Sequence, residues 1–179
     1  MAVGMNILAL PSTRKLFYAG LILAGIVLGA ALSPAIADTD AGLAYMKDGD
    51  YVKALAQLIP AAESGDVRAQ TNLGSIYYYG KGISANFDKA FRWYHAAALQ
   101  GDLDAQIGLA IMYIKGQSVQ GDFAIAYMWL TLAQDQMPPG NDRDRVSVNR
   151  DYVGSQMSAD DLRKATDLVQ TWYQKHQAP

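Results

Sequence analysis

The feature that most constrains this sequence is an internal repeat of 36 residues, because residues 65–100 align without a gap on residues 101–136. Self-similarity at such a period is typical of solenoids, in which each unit stacks on the next. The identical pairs are Gly65/Gly101, Asp66/Asp102, Ala69/Ala105, Gln70/Gln106, Leu73/Leu109, Tyr77/Tyr113, Gly80/Gly116, Phe87/Phe123, Ala90/Ala126, Trp93/Trp129, Ala97/Ala133 and Gln100/Gln136.

Each unit predicts two helices. Ala69, Leu73 and Tyr77 recur at four-residue steps and predict one helix over residues 66–79. The same periodicity predicts a second helix over residues 86–99, whose apolar face includes Phe87, Ala90, Trp93, Tyr94 and Ala97. The recurring aromatic residues Tyr77, Tyr113, Trp93 and Trp129 are predicted to be core. One such hairpin cannot bury its apolar faces alone, so it has to stack on a neighbour.

The Gly80-Lys81-Gly82 segment lies between these two helices. A phosphate-binding loop would require G-x-x-x-x-G-K-[ST] between a strand and a helix, and Ile83 follows here. The glycines are therefore interpreted as a turn, because they permit the left-handed backbone that ends a helix.

These motifs resemble the Sel1-like repeats, a branch of the tetratricopeptide-like family. The resemblance rests on A-x-x-x-L-G-x-x-Y-x-x-G-x-G-[IV] from Ala69 to Ile83, on Lys89-Ala90-x-x-Trp93-Tyr94, and on Ala-Ala-x-Gln-Gly from Ala97 to Gly101. It implies an all-α fold, a right-handed α-solenoid of antiparallel helical hairpins.

Shorter segments flank the two repeats of residues 65–136. Residues 38–64 predict a short hairpin with a helix at Leu43–Met46, a turn at Asp48–Asp50 and a second helix that Pro60 should kink or divide. Residues 137–179 predict a C-terminal capping helical hairpin, with Ser158 as the cap of its last helix. The tail from Lys175 to Pro179 is expected to be frayed.

The N-terminus has the order of a signal peptide. Arg14 and Lys15 precede an apolar run from Leu16 to Leu32, and Ala35-Ile36-Ala37 precedes Asp38. We expect residues 1–37 to be a signal peptide cleaved after Ala37, which places the protein in the periplasm or outside the cell. The alternative is an uncleaved anchor, since the run is near the lower limit for spanning a bilayer.

Composition and charge exclude several function classes. The chain is 51% hydrophobic and carries a net charge of -2 without a basic stripe, which argues against disorder and against nucleic-acid binding. It has no cysteine, so thiol catalysis and thiolate metal sites are excluded. After cleavage no membrane association is expected.

No catalytic, cofactor or metal site is predicted. His95 and His176 are the only histidines, and Thr131 replaces His95 in the second unit, so His95 is interpreted as a surface residue. The aspartates at helix starts, such as Asp66, Asp102 and Asp122, are interpreted as helix caps.

The first helix of each hairpin lines the concave groove in tetratricopeptide-like solenoids. Residues opposite the recurring apolar stripe are therefore the candidate partner-binding groove, aromatic and hydroxyl-rich at one end and aliphatic at the other. They are Arg68, Thr71, Ser75, Tyr78, Tyr79, Asp104, Ile107, Ile111, Ile114 and Lys115. The alternative is that Ile107, Ile111 and Ile114 pack against the C-terminal cap.

The expected function is that of a non-catalytic scaffold or adaptor that binds a protein or peptide. Tyr78 and Tyr79 are the most specific candidates, since Ile114 and Lys115 replace them in the second unit. Two alternatives stay open. One is an enzyme acting on peptidoglycan peptides or β-lactams, an activity that the resemblance implies for cysteine-rich relatives. The other is a signal-anchored structural element of an envelope assembly.

Overall fold

The computed structural model describes residues 38–176, so the predicted signal peptide lies outside the described residues. Within that range the chain forms eight α-helices and no strand, which confirms the predicted all-α fold. They are α1 (Thr39–Lys47), α2 (Tyr51–Glu63), α3 (Val67–Tyr79), α4 (Phe87–Leu99), α5 (Leu103–Lys115), α6 (Phe123–Gln136), α7 (Asn141–Ser155) and α8 (Ala159–His176).

The predicted helix caps are present. Asp66 accepts a hydrogen bond from the Ala69 N–H at 2.8 Å at the start of α3, and Asp102 accepts the equivalent bond at the start of α5. Ser158 accepts one from the Asp161 N–H at 3.1 Å. Each of these bonds satisfies a backbone donor that has no partner inside its helix.

The turn predicted at Gly80-Lys81-Gly82 is confirmed. Gly80 ends α3 with a φ of 64° and Gly116 ends α5 with a φ of 63°, a left-handed conformation that favours glycine. Ser118 stands where the first unit has Gly82 and adopts the same conformation, with a φ of 66°. Its hydroxyl donates to Asp88 at 2.5 Å, a bond that offsets part of the backbone strain.

Repeated glutamines connect successive hairpins. Buried Gln70 donates to the Ala62 carbonyl of α2 at 3.0 Å and accepts from the Gln100 side chain of α4 at 2.8 Å. The pattern recurs one unit later, with Gln106 donating to the Ala98 carbonyl at 3.4 Å and Gln136 donating to Gln106 at 3.3 Å. Because a buried amide requires partners, these glutamines hold three helices in one register.

The hairpins stack into one layered array. The two helices of each repeat pack along each other, α4 packs against α5, and the first helices of successive hairpins also touch, α1 with α3 and α3 with α5. Tyr77 and Trp129 are buried in the core as predicted. Trp93 and Tyr113 are only half-buried, so for them the core prediction holds in part.

The N-terminal hairpin is longer than predicted. Asp38 caps α1 by accepting from the N–H groups of Asp40 and Ala41, so the helix begins well before Leu43. Pro60 does not divide α2, which continues to Glu63. The proline lies in the last turn of that helix, where it interrupts few of the hydrogen bonds that hold the helix together.

The C-terminal pair departs from the hairpin geometry of the repeats. Helices α7 and α8 both pack against α6 and scarcely contact each other. The expectation of fraying from Lys175 is wrong for the first two residues, since α8 continues through His176. The imidazole of His176 stacks on Trp172 with ring centroids 3.8 Å apart.

Candidate functional site

The ten predicted groove residues lie on two neighbouring helices, α3 and α5. We call them together the groove surface. Those on α3 are Arg68, Thr71, Ser75, Tyr78 and Tyr79, and those on α5 are Asp104, Ile107, Ile111, Ile114 and Lys115. Arg68, Tyr79, Asp104 and Lys115 are exposed, whereas the other six are half-buried.

The aromatic end of the groove surface joins the ends of α3 and α5. Lys115 donates to the Tyr78 hydroxyl at 3.1 Å, and its ammonium lies 5.7 Å from the centre of that ring. Tyr78 also packs edge-on against Phe87 at 5.6 Å, so it contributes to packing between α3 and α4. Tyr79 is 64% exposed, although its ring packs edge-on against Tyr78 at 4.9 Å and lies 5.4 Å from the Lys81 ammonium.

A residue that sequence reasoning did not include, Tyr94, forms the floor of this surface. It comes from α4, and its ring fills the space beside Gly74 of α3 and Gly108 of α5. Burial raises the pKa of Tyr94, and nearby Tyr79 adds to the effect, so the phenol stays neutral. A Cβ at Gly74 would lie 2.4 Å from the Tyr94 ring, so the ring fits only because this residue is glycine. In the sequence, the available signal was the presence of Gly74 and Gly108 inside two predicted helices.

Besides Lys115 and Tyr78, two more of the predicted polar residues have partners within the chain. Arg68 forms an exposed ion pair with Asp40 of α1 at 3.0 Å. The Thr71 hydroxyl donates to the Val67 carbonyl within its own helix at 3.0 Å. Such a surface ion pair contributes little to stability, so Arg68 can exchange Asp40 for a partner's carboxylate at small cost.

The aliphatic end borders a cavity of about 340 Å³ between α5 and α7. It is lined by Asp104, Ile107, Met137, Asp142, Arg145, Val146 and Asn149. Ile107 therefore lines the cavity that separates α5 from α7, and both Ile107 and Ile114 are half-buried and pack against the core. Three of the lining residues, Ile107, Met137 and Val146, are apolar and the other four are polar or charged, and α7 forms the outer wall of the cavity.

A larger cavity of about 460 Å³ lies outside the predicted groove, between α2 and α4. We call it the Trp93 cavity. Its lining residues are Ile59, Glu63, Tyr77, Lys89, Arg92, Trp93 and Ala96. Sequence reasoning placed Trp93 in the core and missed this site. The available signal was a change of character between the units, since Lys89 and Arg92 are replaced by Ile125 and Met128.

The histidines and carboxylates of the described residues are dispersed over the helices. No three side chains of the His, Asp and Glu types within residues 38–176 lie close enough to hold a metal ion. His95 is exposed and stacks on Phe91 at 5.8 Å, as expected for a surface residue. Over the same residues, no helix has the length and apolar character needed to cross a bilayer.

Comparison with known proteins supports the repeat assignment. The Sel1 repeat model matches residues 67–102 and 103–136. One similar solved structure is a protective antigen present in uropathogenic Escherichia coli strains that displays an SLR fold. The TM-score is 0.69 with 29% identity, and the match covers 77% of this chain and 29% of that protein. Another is a Sel1 repeat protein from Oxalobacter formigenes, with a TM-score of 0.53 and 29% identity, covering 55% of this chain and 41% of that one.

The chain thus spans well under half the length of either solved relative. No curated protein matches it in sequence.

Proposed function

We propose that this chain, a Sel1-repeat protein, is an exported scaffold without catalytic activity that holds a segment of a partner protein on the groove surface. Sel1 repeats typically mediate protein interactions, which supports the general class. Export and the adaptor role are our proposals from the N-terminal signal sequence and from the surface that the repeats expose.

The observation that carries the proposal is the exposure of Tyr79 on a surface that also includes the half-buried side chains of Ile107, Ile111 and Ile114. A tyrosine offers a rigid ring and a polar tip, and such residues dominate the binding energy of protein interfaces. The second unit has Lys115 at the equivalent position, so the repeat does not require an aromatic residue there for its own packing.

The chemistry of the groove surface favours an extended or helical segment with mixed character. Its aromatic end offers Tyr79, the Tyr78 hydroxyl and the Lys115 ammonium, which suit an acidic or hydrogen-bonding side chain. Its aliphatic end offers Ile107 and Ile111, which suit an apolar side chain. A peptide that presents both kinds of side chain would bury each against its match.

The test is affinity purification of the full-length protein from its native envelope, comparing wild type with Tyr79→Ala. We expect recovery of the partner to fall about tenfold, as for the loss of an interface anchor. Tyr152→Ala is the matched control, because Tyr152 on α7 is 62% exposed and lies outside the groove surface. The intact mass of the same purified protein should place its N-terminus at Asp38.

Unchanged recovery with Tyr79→Ala, or an equal loss with Tyr152→Ala, would contradict binding at the groove surface. A purified protein that retains residues 1–37 would instead favour the anchored assembly element.

A further inference from the structure

The two repeats differ most in how their recurring tryptophans are covered. Trp129 of α6 is 3% exposed and packs edge-on against Trp172 of α8, with ring centroids 5.0 Å apart. Trp93, its counterpart on α4, is half-buried and lines the open Trp93 cavity. The molecule therefore contains one covered and one uncovered version of the same site.

Helix α8 shows what kind of element covers the site. It runs along α6 in the same direction, since Lys164 lies near Asp122 at the start of α6 and Tyr173 donates to Asp135 near its end at 2.8 Å. Its buried positions Ala165 and Val169 are followed by Trp172, so one face of the helix meets α6. The second helix of a repeat can thus bind a parallel helix that places an aromatic side chain on the recurring tryptophan, as α8 places Trp172 on Trp129.

The Trp93 cavity is positively charged, so it should bind a helix that is more acidic than α8. Lys89 and Arg92 stand where α6 has Ile125 and Met128. Among residues 38–176 neither of these cations forms an ion pair with a carboxylate, and the Lys89 ammonium lies 4.9 Å from the centre of the Tyr77 ring. The lining residues include two cations and one carboxylate, Glu63, so the net charge of the cavity lining is positive.

We propose that the Trp93 cavity is a second docking site, which binds an acidic helical segment of a partner protein whose aromatic side chain packs on Trp93 as Trp172 packs on Trp129. The carboxylates of that segment pair with Lys89 and Arg92. This inference rests on the proposed role as a protein-binding scaffold, but it concerns a surface built from α2, α4 and Tyr77 of α3, which shares no residue with the groove surface.

The probe for this site is a synthetic peptide with the α8 sequence Ala159–His176 that carries Arg163→Glu and Lys164→Glu. These changes make the helix acidic and leave its aromatic residue in place. Calorimetric titration of the full-length protein with this peptide should show binding that weakens at high salt, because exposed charge pairs are screened. The same peptide with Trp172→Ala should bind about tenfold more weakly.

Variants of the protein locate the site. Arg92→Glu and Trp93→Ala should each weaken binding of the acidic peptide by about tenfold or more. Arg92 is exposed, so Arg92→Glu should leave the fold intact, whereas Trp93→Ala changes a more buried residue. Circular dichroism of each variant checks that the helices are retained. Tyr79→Ala should leave the affinity unchanged, which separates a failure of this site from a failure of the groove surface.

Three results would overturn the proposal. One is the absence of binding at millimolar peptide, and another is binding that survives both Arg92→Glu and Trp93→Ala, which would indicate exchange with α8. The third is self-association of the protein in sedimentation that Arg92→Glu abolishes, because the occupant would then be a second copy of the chain.

Discussion

Both repeat units have a buried glutamine at the same helical position, Gln70 in the first and Gln106 in the second. The hydrogen bonds of Gln70 explain why an amide is needed there. The Gln70 side chain donates to the Ala62 carbonyl of the preceding hairpin and accepts from Gln100 of its own hairpin, so it fixes the spacing of α2, α3 and α4. The same bonds at Gln106 are longer, which makes Gln70 the better position for a test.

Replacing Gln70 by leucine should lower the free energy of unfolding by about 1–2 kcal/mol, because the variant loses the buried hydrogen bond to the Ala62 carbonyl and the bond from the Gln100 amide. The double variant Gln70→Leu/Gln100→Leu should cost less than the sum of the single variants, since both partners are then removed. Urea unfolding measures both quantities. Gln170→Leu, at an exposed position of α8, is the control and should change stability by less than about 0.5 kcal/mol. Additive single costs would show that the two glutamines do not act as a pair.

Helix α8 replaces the neighbour that the last repeat lacks. A solenoid requires its terminal apolar face to be covered, and α8 does this by packing directly on α6. Trp172 contributes to that contact by packing edge-on against Trp129, and its own ring is stacked by His176 of the same helix.

Trp172→Ala should therefore destabilise the protein by about 2 kcal/mol, less than for a fully buried tryptophan because Trp172 is half-buried. Loss of the cover should also shift the fluorescence emission of Trp129 toward that of a solvated indole. Trp172→Phe preserves the aromatic contact and should recover most of the stability. An alanine variant as stable as wild type would mean that α7 alone caps the array.

At the scale of the whole molecule, the sequence predicted the features that local chemistry sets. The repeat period located the hairpins, the glycines located the turns at Gly80 and Gly116, and aspartates located the helix starts. The extent of α1 was underestimated because the cap at Asp38 directly follows the predicted cleavage point.

The features that the sequence did not predict depend on how distant helices cross. Tyr94 reaches the groove surface only because glycines on α3 and α5 leave room for its ring. The uncovered state of Trp93 follows from the position of α8, which covers the equivalent residue on α6 and not on α4. Periodicity within one helix carries no information on either arrangement.

The central claim is that a partner protein contacts the groove surface formed by α3 and α5. Site-specific photo-cross-linking in cells that produce the protein tests it most directly, with the reactive residue placed at Tyr79, at Ile111 or, as the control, at Tyr152. We predict that the first two positions form an adduct with the same protein and that the control position does not. Adducts at none of the positions, or at all three alike, would contradict the claim.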